Sequence, residues 1–145
     1  MANQRFKSLT GINVQWPWSE LLINSKKTIE TRTYRMSDKL KGVELALIET
    51  PGPRGKRDAG ILKARIIGTI IFGESYQYES KKHWIEEFEQ HQVPLDDEQY
   101  EYEEGDVKWA WTVVRVEKLD KPVQVPAKRG IVFAKNCKVP IAKRC

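Results

Sequence analysis

The residues best placed to do chemistry are Lys27, Glu30 and Arg32, which lie close together in "SKKTIETRTYR", residues 25–35. With Lys26 and Arg35 they make five charges in eleven residues that otherwise have the Thr- and Ile-rich composition of a strand. Alternation sets Thr28, Glu30, Arg32 and Tyr34 on one face, and Lys27, Ile29, Thr31 and Thr33 on the other. Lys27 stands where a helix hands over to the strand, so its long stem can swing to either side. A carboxylate beside a guanidinium and an amine can form a polar pocket or a plain ion pair on a solvated edge. In a pocket, desolvation would lower the lysine pKa and let the amine act as base or nucleophile. Spacing alone leaves both readings open.

Other chemistry-bearing residues are weaker. Trp16 and Trp18 flank Pro17 beside the charged strand, and aromatic faces next to fixed charges suit base stacking as well as packing. "TPGPRGKRDAG" (50–60) reads as a basic loop in which Arg54, Lys56 and Arg57 could meet phosphates. It is no P-loop, because Arg57 stands in place of Ser or Thr and the GxxxxGK spacing fails. His83, Glu87 and His91 share one stripe of a helix, but the two histidines are about 12 Å apart along its axis. They cannot share one ion, so no metal site and no cofactor is expected. Cys137 follows an apolar strand with no nearby histidine to activate it.

The elements that must position these residues follow from periodicity. "PWSELLINS" (17–25) starts a short helix, with Leu21 and Leu22 inward and Glu20 at the favourable dipole end. Strands are predicted over 27–34, 43–49, 63–78, 107–119 and 130–136, and Gly68 and Gly73 predict a bulge or sharp coiling in the third. "KKHWIEEFEQHQV" (81–93) predicts one amphipathic helix carrying Trp84, Ile85 and Phe88. No regular βαβ alternation is present. The pattern predicts an α+β fold with a small mixed β-barrel of about five or six strands and two or three flanking helices.

A chain of 145 residues, 40% apolar, predicts one folded domain over 1–145, with its core at about 10–137 and a basic tail at 138–145. No signal peptide or spanning segment is recognisable, and the two cysteines form no disulfide framework, so a cytoplasmic location and no membrane partner are expected. The net charge of +5 is unevenly spread. Residues 96–106, "DDEQYEYEEGD", hold seven acids, which leaves 25 bases against 13 acids elsewhere. Blocks of one sign on a basic background suggest a polyanion partner. The acidic strip could instead be a protein-docking face or cover a basic cleft.

"VQWPWSELLINSKKTIETRTYR" resembles the signature of the ASCH family, named for homology to the activating signal cointegrator. That signature has an apolar strand, a "QPW" helix start and a GxKxxExR strand; here stand Gln15-Trp16-Pro17-Trp18 and Ser25 to Arg32, with Ser25 in place of the Gly. "IIGTIIFG" and "VKWAWTVVRVEKLDKPV" resemble two later strands of the family. The resemblance implies a PUA-like barrel with a cleft lined by Lys27, Glu30 and Arg32 and rimmed by Trp18. It also implies a module that binds RNA or other single-stranded nucleic acid, or a nucleoside-like small molecule. Some members hydrolyse N4-acetylcytidine with a Lys, a Thr and a Glu, and at least one is a ribonuclease. Lys27 matches their Lys, whereas Glu30 stands where they carry Thr. The expected ligand contacts are Trp18, Thr28, Arg32, Arg54, Lys56 and Arg57, with Lys27 and Glu30 catalytic if the domain is a hydrolase. Lys128, Arg129 and Lys135 would steer a nucleic-acid backbone.

Overall fold

The apolar runs become strands of one sheet, and the polar turns between them carry short helices. A computed structural model describes residues 4–125 and 133–141. In chain order the elements are β1 (Phe6–Gln15), α1 (Trp18–Ile23), β2 (Ile29–Arg32), β3 (Glu44–Thr50), α2 (Gly52–Asp58), β4 (Arg65–Gln77), α3 (Lys81–Glu86), α4 (Phe88–His91), β5 (Trp109–Gln124) and β6 (Phe133–Pro140). The sheet order is β2-β5-β4-β3-β1-β6. β1 and β3 run parallel, and the other described pairs are antiparallel. The fold is mixed α+β, and none of its helices among the described residues is long and apolar enough to cross a membrane.

The sheet coils strongly, and glycine permits it. A Cβ on Gly68 would lie 2.3 Å from the Glu117 carbonyl oxygen. The β4–β5 ladder shifts register there, between Ile66 and Gly68, and again across Gly73 between Phe72 and Ser75. These are the irregularities the two glycines predict. Coiling brings distant strands face to face: Trp111 of β5 stacks on Phe133 of β6, 6.3 Å between centroids. The core between them holds Ile12, Leu22, Leu45, Leu47, Ile70, Phe72 and Trp111, all fully buried. A second apolar cluster of Ile29, Tyr78, Trp84, Val93, Tyr102 and Ala110 lies under α3 and α4.

The closed barrel is not reached by backbone pairing. β2 pairs only with β5, and no ladder among the described residues joins it to β1 or β6. An open seam remains between β2 and the end of β1, because the β1–β6 ladder ends at Ile12 and Phe133.

Several local expectations need correction. The stretch 50–60 is not loop throughout: residues 52–58 form α2. Its prolines suit a first helical turn, and its buried Gly55 packs beside Trp16. The single helix over 81–93 is two helices, broken at Glu87. Trp84 and His91 explain the break. Residues seven apart on a straight helix are about 10 Å apart along its axis, yet these rings stack at 4.8 Å. Strand β1 begins at Phe6, which is exposed, and Val139 of β6 is fully buried. Lys128 and Arg129 lie outside the described residues.

Candidate functional site

The open seam is a cleft of about 800 Å³. Its floor comes from the junction of α1 with β2. The α1 carbonyl of Leu21 accepts the N–H groups of both Lys26 and Lys27, at 2.9 Å each, so the chain is still turning when it reaches Lys27. Strand alternation begins only at Ile29. Lys27 therefore joins Glu30 and Arg32 in the cleft, whereas Thr28 is exposed and does not line it.

Lys27 is 1% exposed. Its Nζ donates to the His91 carbonyl, lies 3.6 Å from Glu30 Oε1, and sits 5.5 Å over the Trp18 ring. Burial pulls this amine down to about 8, although Glu30 beside it works in the opposite direction. Glu30, 5% exposed, accepts from Arg32 Nη2 at 2.8 Å and from the Thr31 N–H at 3.2 Å. Arg32 Nη2 also donates across the seam to the Asn13 carbonyl of β1, at 3.1 Å. Its guanidinium carbon lies 5.6 Å from the Trp111 ring centre. The pocket reading of the charged strand is thus the one realised: Glu30 bridges a buried amine and a guanidinium that ties the two sides of the seam together.

The walls come from remote segments. β1 and β3 supply Asn13, Gln15 and Thr50; the acidic strip and the residues after it supply Tyr100, Glu101, Asp106 and Lys108. Tyr100 meets Trp18 edge to face at 5.7 Å and donates its hydroxyl to Gln15 Oε1 at 3.2 Å. Gln15 in turn lies hard against Gly52, where a Cβ would fall 2.0 Å from its amide nitrogen. Lys108 Nζ donates to the Tyr100 carbonyl and lies 5.0 Å from the Trp84 ring centre, and burial lowers its pKa. The acidic strip, apart from the cleft in sequence, is one of its walls.

Of the residues singled out from sequence, Lys27, Glu30, Arg32 and Trp18 come together in the cleft. Arg54, Lys56 and Arg57 do not line it. They are exposed on α2, whose start is next to the cleft residue Thr50, and Arg57 pairs with Asp58 at 3.0 Å. His83 and His91 diverge. His83 Nε2 lies 3.1 Å from Glu87. His91 accepts the Val93 N–H on Nδ1, so its proton is on Nε2, which donates to the Trp84 carbonyl at 2.8 Å. Asn13, Tyr100 and Lys108 carried no local signal of site membership, and Gln15 stood out only as part of the helix-start signature; Tyr100 and its neighbours stood out only as an acidic run.

No protein-family model matches this sequence, and no curated protein matches it significantly. Solved structures do match in three dimensions. The crystal structure of ASCH from Zymomonas mobilis superposes with a TM-score of 0.59 at 14% identity, covering 80% of this chain and 73% of that one. A serine-to-alanine mutant of that protein gives 0.60 at 14% identity, covering 87% of this chain and 86% of that one. A tyrosine-to-phenylalanine mutant gives 0.53, covering 80% and 75%. Together with the signature residues on the cleft floor, these matches assign the chain an ASCH-like fold.

Proposed function

We propose that the domain is an RNA-related binding module whose cleft receives a nucleobase, from single-stranded RNA or a nucleoside. The observation that carries this reading is the buried Lys27–Glu30–Arg32 cluster beneath Trp18 and Tyr100. Glu30 offers an acceptor to base N–H groups, Lys27 and Arg32 offer donors to carbonyl and ring-nitrogen acceptors, and the aromatic rings offer stacking surface. The cleft volume lies within the roughly 300–1,000 Å³ of small-ligand sites. Arg54, Lys56, Arg57 and Lys135 would meet the strand's phosphates outside it. In the same reading, Arg32 closes a PUA-like barrel by a side chain where backbone pairing stops. Fluorescence titration with ribonucleosides and short single-stranded RNA tests the proposal. Glu30→Gln is expected to weaken binding at least tenfold; affinity equal to the wild type would remove Glu30, and this reading, from the cleft.

The lowered pKa of Lys27 favours a second reading, a hydrolase acting on RNA or on an acylated nucleoside such as N4-acetylcytidine. A fraction of the amine is neutral near pH 7–8 and could serve as base or nucleophile beside Glu30. Turnover of either substrate would rise with pH and level off above about 8. If Lys27→Ala and Glu30→Ala slow it no more than Lys82→Ala on the exposed face of α3, the hydrolase reading fails.

A further inference from the structure

Six charged side chains line the cleft: the cations Lys27, Arg32 and Lys108, and the carboxylates Glu30, Glu101 and Asp106. The cleft is thus neutral in sum, on a chain of net charge +5. The two signs are unevenly placed, with Lys27 and Arg32 on the floor and Glu101 and Asp106 on the 96–106 rim beside Lys108. Each cation holds protein acceptors, Lys27 the His91 carbonyl and Glu30, Arg32 Glu30 and the Asn13 carbonyl, and Lys108 the Tyr100 carbonyl, while the buried Nε of Arg32 has no partner among the described residues. Glu30 is matched by Arg32 and the Thr31 N–H. Asp106 spends one oxygen on the Glu103 N–H at 2.9 Å, and the acids of the strip continue behind it. The 96–106 rim is negative in sum, its seven acids only partly offset by Lys108, whose charge Asp106 and Glu101 favour. On the β3 side, Thr50 leads directly into α2 with its exposed Arg54, Lys56 and Arg57.

We propose that Glu101 and Asp106 make their rim a phosphate filter. The cleft admits the uncharged base of a ligand and repels a phosphate on the acidic side. A nucleoside therefore binds better than its 5′-monophosphate, and a longer strand leads its phosphates out over α2. The inference rests on the nucleobase reading and adds two specificity-determining residues to it. Two carboxylates within several ångströms of a phosphate, in a partly dehydrated cleft, suffice for about a tenfold discrimination. Repulsion of this kind weakens as salt rises.

The test is titration of the full chain with the four ribonucleosides and their 5′-monophosphates, at low and high salt. Wild type is compared with the double variant Glu101→Gln/Asp106→Asn, which keeps side-chain size and the acceptor for the Glu103 N–H. At low salt the wild type is expected to favour the best nucleoside over its monophosphate by about tenfold, and high salt should narrow the gap. The double variant should shrink the gap to about twofold by gaining monophosphate affinity, with nucleoside affinity nearly unchanged. A wild type that binds the monophosphate as tightly as the nucleoside, or a folded double variant with the same discrimination as the wild type, overturns the filter alone. Failure of every nucleoside and monophosphate to bind overturns the nucleobase reading, and the filter with it.

Discussion

Ser25 occupies the place of the signature glycine and adopts a left-handed backbone, φ +60°. Only glycine takes that conformation without steric cost, and other L-residues lose about 1–2 kcal/mol there. Ser25→Gly is expected to stabilise the chain by up to about 1 kcal/mol, since some of the gain is lost to glycine's greater unfolded-state freedom; urea unfolding measures it. Two residues later, Lys27 pulls the other way. Between pH 8 and 10.5 the unfolded chain holds a proton on this amine that the folded chain does not, so its contribution to stability rises with pH across that interval. Below pH 8 the folded chain carries this buried charge at a net cost, because Glu30 offsets only part of the desolvation. Lys27→Met, similar in length and uncharged, should therefore raise stability at pH 7 and, in the proposed reading, abolish nucleobase binding. The advantage of the variant should shrink as pH climbs from 8 to 10.5. A variant less stable than wild type at pH 7 would mean that the amine's contacts to His91 and Glu30 outweigh its desolvation.

At the scale of elements, α1 is six residues long and too short to hold itself, so its place depends on tertiary contacts. Leu22 and Ile23 pack into the core, and Ser19, fully buried, donates to Glu49 of β3 at 2.7 Å. Glu49 is also held by Arg65 of β4, at 2.9 Å. Ser19→Ala leaves that buried carboxylate one donor short and should cost about 1–3 kcal/mol. Because α1 also positions Trp18, ligand affinity should fall with it, and thermal melting paired with titration checks both. The α3–α4 break does a similar job for Lys27, since it turns the His91 carbonyl toward that amine. Burial pushes the His91 imidazole down to about 4, helped by the nearby Lys27 and Lys108 charges, although its bond to the Trp84 carbonyl acts against the shift. The unfolded chain takes up this proton near pH 6.5 and the folded chain only near 4. Stability should thus fall as pH drops through 6.5 and level off below 4. Unfolding midpoints at pH 7, 5.5 and 4.5, compared with those of His91→Phe, measure this, and the variant's slope should be flatter.

At the scale of the whole molecule, charge is sorted by place. Basic residues of α2 face solvent, and the acidic strip walls the cleft. RNA affinity in the proposed reading should fall with salt, with a slope of about −0.7 per phosphate contact, and Arg54→Ala/Lys56→Ala/Arg57→Ala should flatten it without changing nucleoside affinity. Much of this was legible in the chain. The spacing of Lys27, Glu30 and Arg32, the strand periodicity, the coiling at Gly68 and Gly73, and the sign of each charge block are short-range properties, set by side-chain type and the two-residue repeat of a strand. Composition misled where packing decided: Gly and Pro marked 50–60 as loop, but Gly55 fits a helix against Trp16. Even the strand repeat failed for Lys27, because the turn out of α1 had not ended. Only the tertiary structure decided that Glu30 would be buried, that Asn13 and the His91 carbonyl would meet its partners Arg32 and Lys27, that Tyr100 would meet Trp18, and that acids would stand across from a cationic floor. Those contacts join residues about 20 to 90 positions apart, and their distances depend on how far the whole sheet coils.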